Sequence, residues 1–99
     1  MRVVFSRLAE ADLEEIGDYI AADNPAGALR FVRDIRRHCR EIARSPLAYV
    51  ARPDLGAAIR ACPHGRYIIF FQASNDEVLI ARVLAGARDL PRLFSGDEA

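Results

Sequence analysis

Early in the chain the apolar positions Ala9, Leu13, Ile16 and Ile20 recur at spacings of four, three and four. That period lines one stripe of a helix and leaves Glu10, Asp12, Glu14, Glu15 and Asp18 for the wet side. Arg2 to Phe5 reads as a short strand in front of it, and Ser6 as its N-cap, because a hydroxyl there accepts an early backbone N–H. The helix is expected to run to about Ala22. Asn24 and Pro25 then cap and open a second helix, since proline fits the first helical position, where no N–H is needed. Its stripe is Ala28, Phe31, Val32, Ile35, Cys39 and Ile42, ending before Ser45-Pro46. So short a joint makes the two helices antiparallel neighbours.

Beyond Pro46 the helical period disappears. Pro46 to Gly56 reads as a loop, and Ala58 to Ala61 as a short strand closed off by Pro63. Arg66 to Phe71 is aromatic and β-branched, Ala73 to Glu77 supplies turn residues, and Val78 to Leu84 resumes the apolar run. This is an antiparallel hairpin, and its near-continuous apolar character makes it central, with one face under helices and the other under chain or a partner. Such a hairpin does not stand alone in water. Leu90, Leu93 and Phe94 of the tail are placed to close back on the sheet. The predicted architecture is α+β: one domain, residues 1 to 99, with a helical hairpin packed on a small, mainly antiparallel β-sheet. Ile16, Ile20, Phe31, Ile35, Ile69 and Val83 should share one core.

Composition narrows the class. With 52% hydrophobic and 28% charged residues the chain is not disordered. No apolar run approaches the roughly 20 residues of a membrane helix, and the N-terminus lacks the zones of a signal peptide, so a cytoplasmic protein that does not engage membranes is expected. Cys39 and Cys62 lack a CxxC motif or a histidine at metal-ligand spacing and read as small core hydrophobes. His64 reads as a surface histidine in a turn, with no acid or second histidine nearby. There is no phosphate-binding glycine loop, Ser/His/Asp set or metal cluster, so no catalytic residue, metal or cofactor is assigned. Every basic residue is arginine, and charge is unevenly spread. From Met1 to Asp23 six acids face two bases; from Arg30 to Arg66 nine bases face three acids. The favoured use of this asymmetry is an acidic first helix beside a basic second one, with no direct nucleic-acid contact expected.

Four pieces in order carry a family resemblance: Ala11-Asp12-Leu13-Glu14-Glu15-Ile16 with Asp18-Tyr19-Ile20; Asp23-Asn24-Pro25; Gly65-Arg66-Tyr67-Ile68-Ile69-Phe70-Phe71; and Val83-Leu84-Ala85-Gly86-Ala87-Arg88-Asp89-Leu90. Across nearly the whole chain these resemble the RelE/ParE toxin superfamily, and its ParE branch in particular. The resemblance implies a toxin of a type II toxin–antitoxin system that inhibits DNA gyrase by binding, is neutralised by a ParD-like antitoxin and assembles with it as a hetero-oligomer. The alternatives are a RelE-like nuclease, whose relatives cut mRNA on the ribosome, and a toxin homologue that has lost activity. Against that nuclease pattern Arg88 matches a catalytic arginine, but its basic neighbour is here Ala87, and the catalytic tyrosine position holds Phe94, which has no hydroxyl to exchange a proton. A zero net charge also lacks the basic footprint of a protein that enters an RNA-rich site. The target-binding residues implied are Arg60, Arg66, Arg82, Arg88, Leu90 and Phe94. Those for the antitoxin are Phe31, Ile35, Tyr67, Ile69 and Phe71, on the argument that the hairpin has more apolar surface than two helices bury.

Overall fold

A computed structural model describes residues 1–86 and 90–95. Strand β1 (Arg2–Phe5) leads into helix α1 (Arg7–Ala21), and helix α2 (Pro25–Ile42) returns beside it. A 3-10 turn at Pro46–Ala48 and a two-residue strand β2 (Val50–Ala51) follow, then β3 (Arg60–His64), β4 (Tyr67–Ala73), β5 (Glu77–Ala85) and helix α3 (Leu90–Ser95). The five strands form one sheet in the order β1-β5-β4-β3-β2, antiparallel except where β1 runs parallel to β5. Both helix starts are as the sequence predicts: Ser6 Oγ accepts from Ala9 N–H and Asn24 Oδ1 from Gly27 N–H, each at 3.0 Å.

The helical hairpin covers one face of the sheet. Ile16, Ile35, Ile69 and Val83 are buried there together, with Ile20 and Phe31 packed against them half-buried. A second cluster fills the opposite face, where Leu55, Ile59 and Leu90 close over Ala61, Phe70 and Leu84, with Leu93 and Phe94 at its margin. The apolar excess of the hairpin is therefore absorbed by the chain itself, through the segment before β3 and through α3. Among the described residues, each face of the central hairpin thus carries a covering cluster.

Two expectations for the loop region change. The third strand begins at Arg60 because Ala58 sits at φ 65, a left-handed conformation that no strand residue adopts. It then runs through Pro63 instead of stopping there, Pro63 lying opposite Ile68. Proline is tolerated because β2 pairs only with Ala61 and Arg60, so β3 is an edge strand beyond them and a missing N–H there breaks no ladder bond.

Candidate functional site

The candidate site is built on a joint between α1 and β5. Phe70 lies opposite Arg82 while Phe71 lies opposite Ile80, which leaves Ala81 as the extra residue of a β-bulge. Two backbone groups flanking the bulge are bonded by side chains of the first helix and its cap. The Ser6 hydroxyl donates to Ala81 C=O at 2.7 Å, and Val83 N–H donates to Asp12 Oδ2 at 3.0 Å. Asp12 also receives two bonds from the Arg82 guanidinium, both 2.9 Å, with the two side chains only 11% and 13% exposed. A fork of this kind fixes direction as well as distance.

Beside this joint lies a cleft of about 320 Å3 lined by Asp12, Glu15, Ile16, Tyr19, Tyr67 and Val83 among others. Its apolar lining carries two tyrosines, and its acids come from α1. Since Asp12 is already bonded to Arg82, the carboxylate at the cleft with freedom to meet a ligand is the exposed Glu15. The cleft thus suits an apolar segment that brings a basic or hydrogen-bond-donating group. Across from Tyr67, Phe31 of α2 meets it edge-on, ring centroids 5.2 Å apart.

A polar chain missed by the sequence reading links α2 to β3. Cys62 Sγ is 3.2 Å from His38 Nε2, and His38 Nδ1 is 2.8 Å from His64 Nδ1. His64 therefore does have a second histidine beside it, contrary to expectation, because β3 continues past Pro63 and turns its side chain under α2. Burial pushes the His64 pKa down, and the His38 charge acts in the same direction. The single N···N contact holds one proton, so protonating both rings would set two N–H groups face to face. Cys62 and His64 meet opposite nitrogens of His38, so the three do not converge on a point, and no metal-holding group of three occurs among the described residues. Cys62 and Cys39 are buried and free; burial raises both thiols, Cys39 to about 12, as befits core residues. The signal in the sequence was the spacing: Phe31 and His38 are seven apart on one helix face, and Cys62 and His64 alternate onto one strand face.

The predicted binding residues fall into distinct settings. Arg66 is exposed in the turn between β3 and β4, where its carbonyl accepts from Gly86 N–H at 3.0 Å. Arg60 is half-buried and donates to Tyr49 C=O at 2.7 Å. Arg82 is locked to Asp12. Leu90 is buried in the second cluster, and Phe94 packs edge-on against Phe70 at 4.9 Å. Arg88 lies outside the described residues. Of the five antitoxin candidates, Ile35, Ile69 and Phe71 are 0% exposed, because the face they share is the one α1 and α2 cover. Phe31 and Tyr67 are the two whose side chains reach the surface.

A family model described as the ParE toxin of type II toxin-antitoxin system, parDE, matches residues 3–90. No curated protein matches the chain. Among solved structures the chain is similar to the chromosomal ParDE TA system from P. aeruginosa, with a TM-score of 0.74 and 24% identity over 86% of this chain and 95% of that one. At that identity the likeness shows a shared fold.

Proposed function

The chain belongs to the ParE toxin family of type II toxin–antitoxin systems, and from that premise we propose that it inhibits DNA gyrase by binding and is neutralised by a ParD-like antitoxin in a hetero-oligomer. The observation that carries binding over chemistry is Phe94. It stands where the nuclease relatives place a proton-carrying tyrosine, it offers no hydroxyl, and its ring is engaged edge-on with Phe70. Arg82, engaged in both directions by Asp12, holds the recognition end in shape, while the exposed Arg66, with Arg60 and Arg88, contacts the target. Arginine beside apolar residues is the composition that interface hot spots favour. Leu90 and Phe94 hold α3 against the sheet beside that surface.

The antitoxin is assigned to the Phe31–Tyr67 surface and the adjoining cleft. Two aromatic side chains with exposed edges next to Glu15 suit an apolar antitoxin segment carrying a basic residue. The purified chain should inhibit gyrase supercoiling, lose that activity on adding the antitoxin, and leave ribosome-bound mRNA uncut. Phe94→Tyr should leave inhibition within about threefold, a change of under about 1 kcal/mol. Cleavage of mRNA in the ribosomal A site by the unmodified chain, or by the tyrosine variant, would establish the nuclease reading in place of this one.

A further inference from the structure

The charge asymmetry of the sequence is not consumed where it was expected to be. Of the arginines on α2, Arg36 alone reaches the first helix, bonding Glu10 at 3.0 Å while stacking over Phe5. The others form a different pattern. Arg30, Arg33, Arg37, Arg40 and Arg44 recur at three, four, three and four, and all five are exposed. At 100° per residue they fall within an arc of about 80°, on the side of the helix away from Ile35 and Cys39. Arg30 to Arg40 spans about 15 Å of helix axis, and Arg44 extends the row just past the last helical residue. Arg37 bonds Asp34 at 2.9 Å; Arg30, Arg33, Arg40 and Arg44 make no ion pair with any described residue. Asp34 and Glu41 flank the row on one side and do not interrupt it.

The geometry points to this arginine row as a docking surface for the phosphate backbone of duplex DNA. Guanidinium is the cation that meets phosphate in a two-bond fork, and a straight rigid row of five suits a partner whose charges are themselves in a regular row. Single-stranded nucleic acid is disfavoured, because its binding surfaces interleave aromatic side chains for stacking, whereas the aromatic rings of α2, Phe31 and His38, are turned onto Tyr67 and His64. The row lies on the outer side of α2, away from the sheet, so the polyanion and a partner in the cleft do not compete for the same groups. Neutral overall charge is no obstacle, since the positive charge is concentrated on one helix and the acids on another.

The test is fluorescence anisotropy of the purified chain with a labelled duplex of about 20 base pairs, over salt from about 50 to 200 mM. Engagement of four or five arginines gives a slope of log K against log salt of about −4. Arg33→Glu/Arg40→Glu should weaken binding at least tenfold and flatten the slope by about 2. Arg7→Glu, an exposed charge reversal on α1, should move it less than threefold. Far-ultraviolet circular dichroism checks that the helices persist; if the reversal unfolds the chain, Arg33→Gln/Arg40→Gln carries the same expected loss of slope. Binding unaffected by the stripe variants, or weakened equally by Arg7→Glu, overturns the proposal. So does at least tenfold preference for double-stranded RNA or single-stranded DNA, or retention of poly-glutamate with no binding of duplex, which would assign the row to those partners.

Discussion

Removing the Asp12 carboxylate should destabilise this protein more than any surface charge change. Asp12→Ala deletes the acceptor of three hydrogen bonds, two from Arg82 and one from Val83 N–H. It leaves a guanidinium whose side chain is 13% exposed without its carboxylate. Breaking a buried pair on one side costs about 3–5 kcal/mol, because the remaining charge keeps its desolvation penalty and loses its two-bond carboxylate partner. For a domain of this size, that is a drop in thermal midpoint of at least about 12 °C. Removing the cation as well should return part of the loss. In Asp12→Ala/Arg82→Met the guanidinium that lost its carboxylate is gone as well, and the remaining cost includes the unbonded Val83 N–H, about 1–3 kcal/mol. Urea unfolding followed by circular dichroism, which suits a chain without tryptophan, gives both values in one double-mutant cycle. A single-variant loss below about 1 kcal/mol, the level of exposed ion pairs, would refute the claim that this joint is a buried clamp.

Two further outcomes follow from the core and from the histidine pair. Ile35→Ala should cost about 2–5 kcal/mol, since this α2 side chain is 0% exposed between the helix and the sheet, and a loss under about 0.5 kcal/mol would show that α2 does not face the sheet. Because the folded state lowers the His64 pKa from 6.5, the unfolded chain holds more protons there, so this contribution is intact above pH 6.5 and is lost as pH falls below it. His64→Gln should therefore show a smaller fall in unfolding midpoint than the parent between about pH 7.5 and 5.5. An equal fall in both would remove the histidine pair as its source.

The local grammar of this chain was legible from its residues. Ser6, Asn24 and Pro25 mark helix starts by chemistry that acts within three or four residues, and the stripes of α1 and α2 follow from the helical period alone. The β4–β5 hairpin is equally local, its two runs joined by a short turn. What tertiary structure decided depends on residues far apart in sequence. The parallel pairing of β1 with β5 sets the cap of α1 beside the bulge, so Ser6 and Asp12 meet backbone groups more than 70 residues away. No periodicity announces a bulge, because it breaks the period on which strand prediction rests. The same holds for Arg82, which the sequence reading assigns to target binding and which is instead clamped by Asp12 once β5 packs against α1. His64 was misplaced because Pro63 ordinarily ends a strand, and only the shortness of β2 makes that stretch of β3 an edge where proline fits. The sequence alone thus determined the elements and their apolar faces; which polar groups meet at the joints was decided by packing, because those contacts exist only after distant segments share a face.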